Sequence, residues 1–335
     1  MSRVGKLSAI VCSIQLCCGL EAVYANVPEQ TLLREQPMAP TGVVHFSAQP
    51  VGRLILQKRV QLKSGRMAWT DVKNAQAQGD LVLEKAPIYS LKLGYHGMED
   101  LSFLKNLGPM LRELDLNDFP FTDKQAYAFR YVPNLEDLRA DRTELTDEGV
   151  KQLACLKKLN WLFLSKGAYS GKSLQVFGRM SNLRTLDISH NNLDDAALAN
   201  LNTLHELFKL RLTSCRIGDG GVAHLAVLSK LELLHLGKNK QVTDKSVSLI
   251  GTLKELRDLD LSDTSVTSKC IPALQRLTHL KRLAVNERQF QPGGKDALVK
   301  ALPGVVVSTN SDTMPIELFA PLHPTFDPQL SKPLH

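Results

Sequence analysis

The sequence predicts an α/β solenoid: a curved parallel sheet inside, short helices outside, and a small β-rich cap at the N-terminal end. Two observations carry this. The first leucine of an L-x-x-L-x-L pattern falls at Leu111, Leu135, Leu159, Leu183, Leu207 and Leu231, and one extra residue then moves the series to Leu256 and Leu280. A fixed return of this length marks stacked units, each giving one strand and one helical return. Between these strands, Thr or Asp recurs just before an apolar run, where a side-chain oxygen can accept from the first free amides of a helix.

The segments follow in chain order. Arg3 and Lys6, the apolar run from Leu7 to Leu20, and the small residues of Val23-Tyr24-Ala25 read as an export leader over 1–25, cleaved after Ala25. The run is shorter than the roughly 20 residues a membrane span needs. An uncleaved anchor is the alternative. Ile14-Gln15-Leu16 before Cys17 lacks the small residues that lipid attachment requires.

Residues 26–87 lack the repeat but hold β-prone stretches at Val43–Phe46, Arg53–Leu62 and Leu81–Leu83. A solenoid needs its first face covered, so 41–87 is expected to fold as a cap onto Ile88–Leu93. An independent binding domain is the rival, although a segment this short is marginal alone.

Residues 88–308 hold about nine repeats, from Ile88, Leu91 and Leu93 to Leu280, Leu283 and Val285, with Val305–Val307 as a closing strand. Two leucines separated by one residue point the same way on a strand and enter the core. Three residues beyond the last leucine, Asn191, Cys215, Asn239, Thr143 and Thr264 stand where buried backbone groups of a tight corner need partners. In the returns, Val150, Leu153 and Leu156, or Val247, Ile250 and Leu253, have the spacing of an inward helical face. Thr122 with Gln125 has the spacing of a capping box. The tail, 309–335, is punctuated by Pro315, Pro321, Pro324, Pro328 and Pro333 and is expected to be flexible.

The L-x-x-L-x-L-x-x-[N/C/T]-x-L pattern followed by Thr-Asp-x-Gly resembles the leucine-rich-repeat proteins, most of all a bacterial type with about 24 residues per repeat. The resemblance covers residues 88–308. Thr122-Asp123, Thr146-Asp147 and Thr243-Asp244 keep the Thr-Asp signature; Asp194-Asp195, Gly218-Asp219 and Thr267-Ser268 alter it. Ser165–Ser170 has no Thr-Asp, so an irregular return is expected there. The resemblance implies a curved solenoid used chiefly to bind proteins, and not an enzyme.

Composition narrows the function further. The formal charge is +7, and losing Arg3, Lys6 and Glu21 with the leader lowers it to +6, a mild excess of interspersed charges. No Lys/Arg stripe with interleaved aromatics appears, so nucleic acid is not expected as a partner. The nine histidines are scattered, without metal-binding spacing, and no nucleophile-elbow, dinucleotide or phosphate-loop motif is present. No cofactor, metal or catalytic residue is expected. Cys155, Cys215 and Cys270 lie too many strands apart for a bridge, given a strand spacing of about 4.8 Å and a Cα limit of about 7 Å.

The inward-curving face has three columns of residues. Trp161 and Phe163 stand out, both aimed at solvent from one strand and ringed by Asp137, Arg139, Asp187 and Arg211. A central aromatic anchor with a polar rim is the usual make-up of a binding hot spot. The bland reading is that the rings pack on each other or on a loop around Tyr169. Leu233 and His235 form a weaker second patch. Asp115–Arg139 and Asp187–Arg211 are expected to neutralise each other across strands. The expectation is an exported, monomeric scaffold, periplasmic or secreted, that holds a protein ligand on this face, with no membrane span in the mature chain. A secreted effector recruiting a host protein, or an enzyme with an unrecognised site, are the rivals.

Overall fold

A computed structural model describes residues 101–309, apart from 103, 110 and 291–292, and four strands before them. The expected leader, 1–25, and all but the first residue of the tail lie outside the described residues.

Strands β4 (Ser90–Leu93), β5 (Glu113–Asp115), β6 (Asp137–Arg139), β7 (Trp161–Phe163), β8 (Thr185–Asp187), β9 (Lys209–Arg211), β10 (Leu233–His235), β11 (Asp258–Asp260), β12 (Arg282–Ala284) and β13 (Val306–Ser308) follow one another in both sequence and space. With β2 (Arg53–Leu56) beside β4 they form one 11-stranded sheet, and every pairing is parallel. Each strand needs a crossover to run parallel to the last, and the short helical returns supply it. The three β-prone stretches of the N-terminal region each carry a strand: β1 (Val44–His45) pairs with β3 (Leu81–Val82), and β2 extends the sheet. The closing strand sits one residue later than expected, at Val306–Ser308.

The register places equivalent residues of each repeat side by side, so Leu114, Leu138, Leu162, Leu186, Leu210 and Leu234 form a row. All are buried, as are the leucines three residues before them and the aliphatic residues two residues after them. The core is therefore one continuous stack between sheet and returns, and each fully buried leucine contributes about 1.5–3 kcal/mol.

The corners after the strands are held as expected. Asn239 is fully buried; its amide nitrogen donates to the carbonyls of Leu212 (2.7 Å) and Leu236 (2.8 Å), and its oxygen accepts from Cys215 N (2.8 Å). Asn191 does the same for Ile188 O (2.8 Å) and Gly167 N (2.8 Å). Thr143 and Thr264 hydroxyls donate to Ala140 O and Leu261 O. Just before each of these positions the chain turns left-handed, at Asp118, Arg142, Lys166, His190, Ser214, Lys238 and Asp263, with φ between 55° and 62°. That conformation costs a non-glycine residue about 1–2 kcal/mol. The N–H it aims sideways is repaid by the next repeat: Lys166 N donates to Ser189 O (3.0 Å) and Lys238 N to Ser262 O (2.7 Å).

On the outer side, Thr146, Thr243 and Thr267 cap their helical turns, accepting from Glu148, Lys245 and Lys269 amides. The aspartate after such a cap has a second task that spacing did not reveal. It reaches the cap of the next repeat: Asp147 accepts from Ser170 N and Oγ, Asp219 from Thr243 N and Oγ1, and Asp244 from Thr267 N and Oγ1. Cap and aspartate thus staple successive returns. The expected capping box at Thr122 forms only by half. Gln125 Oε1 accepts from Thr122 N (2.8 Å), but the Gln125 N–H goes to the Thr122 carbonyl and not its hydroxyl.

The fourth repeat departs from this plan. Its return is a 3₁₀ helix, Gly171–Arg179, capped by Ser170. Tyr169, around which an irregular loop was the alternative support for the two rings, is 2% exposed. Its hydroxyl donates to Leu164 O (2.8 Å) and accepts from Asn191 Nδ2 (2.7 Å). Gly167 leaves room for it: a Cβ there would lie 2.7 Å from the Tyr169 ring.

Candidate protein-binding face

The alternation of the strands fixes which side chains line the inner face. Trp161 and Phe163 flank buried Leu162 and are both half-buried, so each keeps part of its ring in solvent. Register puts Trp161 between Asp137 and Thr185, and Phe163 between Arg139 and Asp187.

The rim is tied into a network. The Arg139 guanidinium lies 5.3 Å from the Phe163 ring centre and 3.4 Å from Asp137 Oδ2. Burial works against its charge, but Asp137, then Asp115 and Glu113, outweigh that and raise its pKa. Arg211 meets Asp187 at 3.5 Å, the cross-strand pair expected there, while Asp187 Oδ1 accepts from Ser189 N (3.0 Å). Asp115 and Arg139 are register neighbours, and Asp115 Oδ1 accepts from Asn117 N (3.0 Å). Asp141, one column over, has its pKa raised, by burial first and by Asp187 as well.

Three expected site residues are not presented to solvent. Asp137 is 2% exposed, enclosed between Glu113 and Trp161 with Arg139 against it, so it orients Arg139 and offers no rim surface of its own. Leu233 and His235, expected as a second patch, are 5% and 6% exposed. Leu233 has Lys209 and Asp258 beside it, and His235 Nε2 faces Asp258 Oδ1 at 3.4 Å. Asp258 is held in turn by Arg282 through two bonds of 2.8 and 2.7 Å. Burial pushes the Asp258 pKa up, yet His235 and Arg282 outweigh it and the net shift is down. The long side chains of neighbouring strands close over this part of the face.

Lys209 was not singled out by pattern. It stands two strands from Trp161 in the same column, half-buried, with Nζ 5.5 Å from the Phe208 ring. The sequence does hold its signal, a cation in a column otherwise mixed.

The three described cysteines are held toward the thiol form. Burial pushes the Cys215 and Cys270 thiols up to about 12, so both stay protonated, and that of exposed Cys155 is raised as well. Among the described residues no group of three or more His, Cys, Asp or Glu is placed to hold a metal ion. No helix among them is long and apolar enough to cross a membrane.

Comparison with known proteins matches this geometry. A leucine-rich-repeat family model matches residues 179–201 and 206–226. A Caenorhabditis elegans protein named as a putative RNA-binding protein is 27% identical over 236 residues, which is 64% of this chain and 31% of that protein. The rat leucine-rich repeat-containing G-protein coupled receptor 5 is 30% identical over 154 residues, 46% of this chain and 16% of the receptor. The chain thus spans less than a third of the length of these relatives. Among solved structures, an internalin of Listeria monocytogenes superposes with a TM-score of 0.55 at 22% identity, covering 67% of this chain and 61% of that one. The fold is a leucine-rich-repeat solenoid, an architecture whose extended concave surface commonly serves protein interaction.

Proposed function

We propose that this chain is an exported, non-enzymatic scaffold that captures a protein ligand on its concave face, around Trp161 and Phe163. The observation that carries the reading is the state of those two rings. They are large apolar side chains left half in solvent at the middle of a sheet whose neighbouring strands are closed over by charged pairs. Arg139 on the Phe163 ring and Arg211 with Asp187 supply a polar rim already held in place, so little side-chain entropy remains to be lost on docking. Export rests on the leader at 1–25 and implies a periplasmic or secreted protein; a monomer with no cofactor is the simplest state for it. The carboxylates of this face are engaged by neighbours, Asp187 by Arg211 and Ser189 N and Asp258 by Arg282, which suits a scaffold.

The test is affinity capture with the full mature chain and with Trp161→Ala combined with Phe163→Ala. The double variant keeps the circular dichroism of the parent and loses the captured partner. A partner retained at the same yield rejects the site.

A further inference from the structure

The outer face of the early repeats carries a second constellation that the concave reading does not use. Tyr127 and Tyr131 sit on one 3₁₀ return, Ala126–Tyr131, with their rings edge to face, 6.1 Å apart at 86°. Both pack against the core on one side. The guanidinium of exposed Arg130 lies 5.3 Å from the first ring centre and 5.4 Å from the second, and Nζ of Lys105 lies 5.3 Å from the second. Arg130 Nε donates to Tyr127 O at 3.0 Å.

Several other surface cations are answered by carboxylates: Lys151 by Glu148, Lys230 by Glu206, Arg257 by Glu232, Arg142 by Asp118. Among the described residues no carboxylate pairs with Lys105 or Arg130. The two rings and the backbone bond fix the guanidinium plane, and its two terminal nitrogens remain as a fork of the kind that meets a carboxylate with two parallel bonds.

We propose that Arg130, held by Tyr127 and Tyr131 and flanked by Lys105, is a docking point for an acidic polypeptide segment on the convex side. The chemistry favours a peptide over a nucleic acid or a sugar polymer. Bases and sugar rings need open aromatic faces to stack on, and here Arg130 and Lys105 already lie over the two rings. What the patch presents outward is cationic N–H donors, which suit Asp and Glu side chains.

The test uses the full chain and a fluorescein-labelled octaglutamate peptide at low salt, followed by anisotropy. Octaglutamate binds saturably, and binding weakens as salt rises. Arg130→Gln weakens it about tenfold or more and Arg130→Lys by an intermediate factor, because charge survives without the fork. Lys300→Gln, an exposed cation at the far end, changes it less than about twofold, the effect of diffuse charge alone. Circular dichroism confirms that each variant is folded. The proposal is overturned if no saturable binding occurs, or if Arg130→Gln and Lys300→Gln act alike. Tighter binding of oligothymidylate or a heparin fragment than of octaglutamate also overturns it.

Discussion

The repeat that carries β7 and the repeat that carries β10 occupy equivalent places in one sheet, yet they are built on different terms. Around β10 the core, corner and cap rules of the motif are kept, although this repeat is one residue longer than its neighbours. Leu233, Leu234 and His235 are all buried, Asn239 fills the corner, and Thr243 caps the helix Asp244–Ile250 while Asp219 staples it to the repeat before. Around β7 the rules lapse together. The face is aromatic and half-open, the corner residue is Gly167, and Gly171 stands where an aspartate would reach forward to the next cap. No room exists for one, since a Cβ on Gly171 would lie 2.5 Å from the Cβ of Ala197. A repeat that breaks several local rules in a chain that otherwise obeys them is where function is expected to be lodged. Under the proposed function the β7 rung gives up local rules for its surface, while the β10 rung keeps them for stability.

The largest effect that would break this contrast lies at the β10 corner. Asn239→Ala strips the Leu212 and Leu236 carbonyls and the Cys215 amide of partners in a site closed to water. Each buried group left unsatisfied costs about 1–3 kcal/mol, so a loss of about 3–4 kcal/mol is expected. Urea unfolding reads it as a lowered midpoint. A loss under about 1 kcal/mol would mean that water replaces the side chain and that the corner is not what holds this rung.

A smaller effect sharpens the contrast on the concave face itself. Leu233→Ala removes a side chain that is 5% exposed, and a loss of about 2–3 kcal/mol is expected, at the low end for a buried leucine because its neighbours are long and can fold inward. Ligand capture should be unchanged, the mirror image of the Trp161 and Phe163 double variant. Weakened capture at preserved stability would return Leu233 and His235 to the binding surface.

Much of this was legible in the chain. The leucine return located the strands from β4 to β12, and the corner roles of Asn191, Asn239, Thr143 and Thr264 followed from one backbone need. What stayed hidden depends on distance in space, not on period. The burial of Asp137, Leu233 and His235 goes with arginines lying on buried carboxylates, Arg139 on Asp137 within one strand and Arg282 on Asp258 from two strands beyond β10, and the leucine period says nothing of that. The left-handed corners escaped because Asp, Arg, Lys, His and Ser all occupy them, with only the neighbour's carbonyl in common. The Asp staple was half visible: the residue recurs beside most caps, but its partner lies one repeat on.

Tyr169 is the finest point of the comparison, since it stands outside the leucine period. In other corners a side chain three residues after the last core leucine or its equivalent answers that residue's carbonyl, as Asn191 answers Ile188 and Thr264 answers Leu261. Gly167 has no side chain to do so for Leu164, and the Tyr169 hydroxyl comes from two residues further on to take the place. Burial holds its pKa well above the ordinary tyrosine value, so it remains a donor throughout the neutral range. Tyr169→Phe keeps the ring in the core and removes only the hydroxyl. Because Asn191 Nδ2 also reaches Leu164 O, at 3.0 Å, the carbonyl is not orphaned, and a loss of about 1 kcal/mol is expected. A thermal melt indistinguishable from the parent's would show that Asn191 alone closes the corner, and the fourth repeat would then be held by its neighbour and not by a substitute of its own.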